Sequence, residues 1–268
     1  MFENYSGATR VIPIVGDPIA QVKSPLGVTR ALRARGADAI VVPAHVRPAD
    51  LPAFFALAER MPNVDGIIVT VPHKFDAARL CAGLTPAAAS IGAANVVRRG
   101  ADGHWFGHMC DGDGYVAGLR KLGCEPRGRR ALLVGAGGAG SAIAHALVDA
   151  GVVRLALHDA DTARREALAA RLRAYGPVVP EVGGTDPRGF DLVINATPMG
   201  MREGDPLPVQ VDRLEAGTFV GCVVTKPAVP PFIEAARARG LATMTGAGMF
   251  EAVAERIVEF YLETPKGK

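Results

Sequence analysis

The chain has 268 residues, enough for one large domain or two of ordinary size, and its 49% hydrophobic and 21% charged residues exclude an intrinsically disordered protein. A net charge of +3, evenly spread, is too small to point to nucleic acid and leaves only a mild attraction for an anionic small molecule. Cys81, Cys110, Cys124 and Cys222 have neither CxxC nor zinc-ligand spacing, so free thiols in the cytoplasm are expected, and the short apolar run behind Glu3 does not make a signal peptide.

Apolar runs with strand character alternate with helix-period segments along nearly the whole chain, which predicts an α/β protein built on parallel sheets. The first strand is Val11 to Val15; Ser24, as cap, and Pro25 then open a helix that Gly36 closes. Strands follow at Ala39 to Val42 and Gly66 to Val71, and Gly100, Gly103 and Gly107 mark a domain boundary. Beyond it the predicted strands are Ala131 to Val134, Leu155 to Leu157, Leu192 to Ala196 and Phe219 to Val224, with helices over 138–150 and from Asp161 or Thr162 to Arg173. A short strand after Gly240 precedes a long amphipathic helix over 248–262. The expected division is residues 1–104 as one α/β domain, to which 241–268 returns, and 105–240 as a doubly wound parallel-sheet domain. The apolar stretch 131–157 carries His145, Asp149, Arg154 and repeated glycines, and reads as buried strand, helix and strand rather than a membrane span.

That stretch also holds the clearest chemical signal. Ala131 to Val134 runs into Gly135-Ala136-Gly137-Gly138-Ala139-Gly140, a GxGxxG turn between strand and helix. The first glycine of such a turn (Gly135) makes the tight bend, the second (Gly137) lets the backbone approach a pyrophosphate, and the third (Gly140) lets helix pack closely on strand. Gly138 and Ala139 open the helix, where unpaired N–H groups and the helix dipole favour negative charge. Asp159, 19 residues beyond Gly140, stands where a carboxylate accepts ribose hydroxyls in a Rossmann-type domain. A carboxylate there repels a 2′-phosphate, so NAD is favoured over NADP, with Arg164 and Arg165 one turn downstream as groups within reach of a phosphate.

Six further segments keep a fixed order: Gly16-Asp17-Pro18-Ile19-Ala20-Gln21-Val22-Lys23-Ser24-Pro25, Val69-Thr70-Val71-Pro72-His73-Lys74, Gly92-Ala93-Ala94-Asn95, Gly107 with Asp111-Gly112, Asn195-Ala196-Thr197-Pro198-Met199-Gly200 and Gly246-Ala247-Gly248-Met249. With the glycine turn, they resemble the shikimate dehydrogenases in order and separation over nearly the whole chain. The resemblance implies a cytoplasmic oxidoreductase of aromatic amino acid biosynthesis, in which a substrate domain and a dinucleotide domain meet at a cleft. It implies Lys74 and Asp111 as the catalytic pair. Reducing a ketone develops negative charge on oxygen, and a positioned ammonium stabilises that charge and supplies the proton. It further implies Ser24, Thr70 and Asn95 on the substrate, and Thr197, Met199, Gly246 and Met249 on the nicotinamide side.

The chain departs from the family at Val22, Thr225 and Val253, substrate-binding positions where the family has serine, tyrosine and glutamine, and at Ile68 and Cys222, where it has asparagine and aspartate. A substrate hydroxyl left without a partner in a closed site costs about 1–3 kcal/mol. Three functions stay open: a shikimate dehydrogenase with altered ring contacts, a dehydrogenase of quinate or another hydroaromatic acid, and a non-catalytic NAD-binding sensor. Retention of Lys74 and Asp111 argues against the sensor, which needs no proton donor. The expected partner is a small molecule, with no nucleic acid or membrane, and the protein is expected as a monomer or homodimer. No metal is expected: Asp111-Gly112-Asp113-Gly114 begins like a calcium loop but has Leu122 where a bidentate glutamate is needed, and His104, His108 and Cys110 lack a fourth ligand. His108 is kept as a candidate substrate contact, His73 is expected to point to the other side of an extended segment from Lys74, and His145 and His158 are read as structural.

Overall fold

In the computed structural model, which describes residues 5–263, the apolar run at 11–15 lies within β1 (Arg10–Gly16), buried from Ile12 onward. Burial of both faces is what a continuous, non-alternating apolar run encodes. There follow α1 (Ser24–Ala34), β2 (Ala39–His45), α2 (Leu51–Glu59), β3 (Gly66–Val69), α3 (Lys74–Arg79), β4 (Gly83–Leu84), α4 (Pro86–Ile91), β5 (Val96–Arg99) and β6 (Trp105–His108). The strands form one six-stranded sheet in the order β2-β1-β3-β5-β6-β4. β2, β1 and β3 run parallel, but β5 is antiparallel to both β3 and β6, so this sheet is mixed where parallel pairing was expected. The few residues between Arg99 and Trp105 are too short for a crossover helix, and neighbouring strands joined so tightly must run antiparallel.

That hairpin also settles where residues 105–110 lie. β6 is bonded into the first sheet, and the unit built on it ends at Cys110 and resumes at Ala254, rather than breaking at 104. Its core includes Val15, Phe55, Ile67, Val97 and Trp105. At α1 the expected serine cap is absent: Lys23 holds the N-cap position without a side-chain bond, and Ser24 is already in the first turn beside Pro25.

The second unit spans Asp111–Val253. It contains α5 (Asp111–Lys121), β7 (Arg130–Val134), α6 (Gly138–Asp149), β8 (Arg154–His158), α7 (Thr162–Tyr175), β9 (Glu181–Val182), β10 (Leu192–Asn195), β11 (Phe219–Cys222), α8 (Pro231–Ala238) and β12 (Thr243–Met244), and α9 (Gly246–Leu262) runs out of it into the first unit. Asp161 caps α7, its side chain accepting the Arg164 N–H at 3.0 Å. The strand order is β9-β8-β7-β10-β11-β12, with every pairing parallel. The chain enters at the centre with β7, winds out to β9, then returns to β10 and winds the other way. The loops after β7 and β10 therefore lie side by side where the winding reverses, the place at which doubly wound sheets bind ligands.

His145, on α6, is 3% exposed. Its Nδ1–H donates to the Ser141 carbonyl at 2.8 Å, its ring lies 4.8 Å from that of Tyr175, and its buried Nε2 has no hydrogen-bond partner. Burial holds this imidazole below its ordinary pKa, with the Ser141 bond only partly offsetting it. The unfolded chain therefore takes up this proton first: the contribution of His145 to stability is complete above the unfolded value of about 6.5 and is lost as the pH falls from there through the folded value. Urea titrations at about pH 7 and pH 5 should show the wild type losing more stability on acidification than His145→Gln. Equal losses in the two proteins would exclude His145 as the titrating group.

Candidate active site

Along one edge of the first sheet β1, β3 and β6 end and β5 begins, with Val15 beside Val69, Ile68 beside Val96, and Val96 beside His108. Thr70, just past β3, donates its N–H to Val15 at 2.9 Å and is half-buried. Four residues on, Lys74 opens α3 and its carbonyl accepts the Ala94 N–H at 2.9 Å. Asn95 is sewn to both neighbours, its carbonyl accepting from Val69 at 2.8 Å and its N–H donating to His108 at 3.0 Å. Its side-chain Oδ1 then accepts the Cys110 N–H at 2.9 Å. Segments distant in sequence are thus fastened to one strand edge, and the last of them leads directly into Asp111, the first residue of α5.

Lys74 is 8% exposed and Asp111 5%, and among the described residues they are the only Lys, Arg, Asp or Glu side chains that are buried. Such groups are almost never buried without a partner. Ser24 is buried in the first turn of α1, and Val22 is half-buried before it. The neighbours of Lys74 do structural work: His73 is buried with Nε2–H donated to the Val46 carbonyl at 2.7 Å. His108 is half-buried, turned to the Thr85 hydroxyl at 2.9 Å and stacked on Phe260 of α9 at 5.1 Å.

In the second unit the three glycines of the turn behave differently. Gly135 has φ +108°, and a side chain on it would lie 2.8 Å from the Ala196 backbone; one on Gly140 would collide with the Gly135 carbonyl. Gly137 has nothing within 4 Å of the position a Cβ would take. Two glycines are therefore required by the fold, while the third leaves open backbone at the N-cap of α6, the room a pyrophosphate needs. Gly138 and Ala139 are half-buried in the first turn, where N–H groups lack intrahelical partners. Asp159 is committed locally: Oδ2 accepts the Ala136 N–H at 2.7 Å and Oδ1 that of Asp161 at 2.8 Å. This carboxylate braces the turn, and each oxygen keeps a further acceptor site. Arg164 is paired with Asp161 at 3.4 Å and Arg165 with Glu166 at 2.8 Å.

Thr197 and Met199 lie in the turn after β10, organised by Asn195, which is fully buried. Its Oδ1 accepts both the N–H and the hydroxyl of Thr197, and its Nδ2 donates to the Met199 carbonyl at 3.0 Å. Asn195 is absent from the sequence-derived set of site residues, although Asn two residues before Thr is the signature of a side chain closing its own turn. Gly246 opens α9 so close to β11 that a side chain there would collide with the Val223 and Val224 carbonyls, and Met249 is buried one turn on. Thr225 is half-buried after β11. Val253 packs on α5, its Cγ2 2.5 Å from where a Gly114 Cβ would lie. Among the described residues no group of three or more His, Cys, Asp or Glu is arranged to hold a metal ion, and no helix is long and apolar enough to cross a membrane.

Comparison with known proteins places these features in context. The profile of the shikimate dehydrogenase substrate binding domain matches residues 14–97. The shikimate dehydrogenase (NADP(+)) of Rubrobacter xylanophilus is 36% identical over 245 residues, covering 90% of this chain and 86% of that protein. The crystal structure of shikimate 5-dehydrogenase from Listeria monocytogenes in complex with shikimate and NAD is 26% identical with a TM-score of 0.86, covering 97% of this chain and 94% of that one. Quinate dehydrogenase from Corynebacterium glutamicum in complex with NAD is 28% identical with a TM-score of 0.82, covering 95% and 94%. The expected preference for NAD over NADP is overturned by the curated relatives at 34–36% identity, whose names specify NADP(+). The expectation rested on Asp159 standing free, whereas its oxygens accept the N–H groups of Ala136 and Asp161.

The glycine geometry separates fold from binding. Gly140→Ala should lose about 1–3 kcal/mol of stability through forced backbone movement, read as a lower melting temperature. Gly137→Ala should melt like the wild type yet bind a nicotinamide dinucleotide more weakly. Normal binding by a folded Gly137→Ala would show that the open face of the turn carries no ligand.

Proposed function

The chain belongs to the shikimate dehydrogenase family, and we propose on that premise that it interconverts shikimate and 3-dehydroshikimate with NADP. It is an NAD(P)-dependent oxidoreductase acting on a CH–OH donor. The observation that carries the reading is the burial of Lys74 and Asp111 alone among the charged side chains of the described residues, since burying a charge costs several kcal/mol and is sustained where chemistry needs it. The nicotinamide, when bound, supplies or takes the hydride. Lys74 holds the proton exchanged with the substrate oxygen and stabilises negative charge there, and Asp111 orients the ammonium. Ser24, Thr70 and Asn95 bind and orient the acid on the first unit, the substrate domain. Gly135, Gly137, Gly138, Ala139 and Gly140 seat the pyrophosphate on the second, with Asp159 bracing their turn. Thr197, Met199, Gly246 and Met249 flank the nicotinamide. The four free cysteines support a cytoplasmic setting, and the chemistry asks for no nucleic acid, membrane or metal, whether in a monomer or a homodimer.

A second reading, action on quinate or a related hydroaromatic acid, is favoured by the apolar Val22, Ile68 and Val253 at positions where the resemblance implies polar contacts, and by the similarity to a quinate dehydrogenase. Val253 is occupied with packing against Gly114, so it offers nothing to a ring hydroxyl. Absorbance assays at the nicotinamide band with shikimate and quinate, each with NADP and NAD, separate the two readings. Turnover of shikimate with NADP is expected; turnover of quinate alone selects the second reading, and turnover of neither rejects both. Lys74→Ala should lower kcat about 10²–10⁴-fold while nucleotide binding persists, and Asp111→Asn should lower it by a similar factor. An unchanged kcat in Lys74→Ala would remove the proton-transfer role.

A further inference from the structure

We infer that Asn195 is a positioning residue for hydride transfer, fixing the Thr197–Met199 turn against which the nicotinamide lies. The inference rests on the dinucleotide reading of the second unit. A carboxamide has two acceptor sites on oxygen and two N–H donors, and Asn195 uses all four. Oδ1 accepts the Thr197 N–H at 3.0 Å and the Thr197 hydroxyl at 2.6 Å, while Nδ2 donates to the Met199 carbonyl at 3.0 Å and to Cys222 Sγ at 3.3 Å. Thr197 Oγ1, whose O–H donates to Asn195, accepts the Met199 N–H at 3.1 Å. The bonds close a ring in which every donor faces an acceptor, so the turn has one low-energy geometry.

Two further contacts tie that geometry to the sheet. The Asn195 carbonyl accepts the Val223 N–H at 3.0 Å, holding the end of β10 to the residue after β11. Thr197 Cγ2 lies 2.9 Å from where a Gly135 Cβ would be, so the turn abuts the glycine loop itself. Asn195 reaches neither loop surface, being fully buried. Its effect on a bound nucleotide passes through Thr197 and Met199. Burial also pushes the Cys222 thiol up, which keeps its sulfur a neutral acceptor rather than a reactive thiolate.

The test uses Asn195→Asp, which keeps an oxygen for Thr197 but turns a second oxygen onto the Met199 carbonyl. NADPH affinity is followed by its fluorescence, and hydride transfer by the isotope effect on kcat with NADPH deuterated at the transferred position. The affinity should fall about tenfold, with a larger isotope effect because hydride transfer becomes slower. The KM of the acid substrate should stay within about twofold, a split that general loosening of the fold would not produce. Cys222→Ser, which retains an acceptor for Nδ2, should match the wild type in both readouts. If Asn195→Asp fails to fold, Thr197→Val breaks the same ring from its other side and carries the same expectations. A folded variant with unchanged NADPH affinity and isotope effect overturns the inference. A wild-type protein that binds no NADPH overturns the dinucleotide reading and this inference with it.

Discussion

Each sheet of this protein ends on a buried carboxamide that hydrogen-bonds the backbone just beyond it. Asn95 holds the N–H of Cys110 at the edge of the first sheet, and Asn195 holds Thr197 and Met199 at the edge of the second. An amide at 3% or 0% exposure cannot fall back on water, and a donor or acceptor left unpaired there costs about 1–3 kcal/mol. The constraint acts in two directions. Strand pairing delivers the asparagine to its place, and the asparagine then dictates the path of the chain just beyond the strand, where the residues proposed for chemistry sit.

Close backbone approach is the complementary device. A side chain on Gly112 would collide with the Ala142 carbonyl, and one on Gly221 would collide with the Tyr115 hydroxyl. α5 is therefore seated directly on α6 and over β11, and Asp111 at its head inherits that rigidity. The seat has a cost, since the Tyr115 hydroxyl is buried without a hydrogen-bond partner. It also explains Asp111-Gly112-Asp113-Gly114 as a packing motif: Gly112 and Gly114 are small so that α6 and α9 can come near, not to shape a cation loop.

The parallel strands were legible because burial on both faces writes itself as an uninterrupted apolar run, as in residues 11–15, 131–134 and 192–195. The glycine turn was legible because its backbone demands are local. β5 and β6 were not: Val96–Arg99 is half polar and Trp105–His108 is broken by a glycine, so neither resembles a buried run, and their antiparallel pairing depends on a hairpin whose partners sequence alone does not reveal. Ser24 looked like a cap because serine before proline is a frequent helix start, yet a helix boundary displaced by one residue turned it into a first-turn side chain. Lys74 and Asp111, singled out by the motifs around them, are both buried. What the sequence does not show is the partner each side chain takes, as Asp159 takes the Ala136 N–H, His108 the Thr85 hydroxyl and Val253 the space beside Gly114, because competition for a side chain's bonding capacity is a tertiary fact.

The second unit is spliced into the first, since the chain leaves at Cys110 and comes back at Ala254. The ring of Tyr261 fills the space that Gly66 leaves on β3. Completing the first unit therefore joins segments that flank the whole of Asp111–Val253 in sequence, and contacts so far apart along the chain carry a loop-closure cost that the contacts within the inserted unit do not.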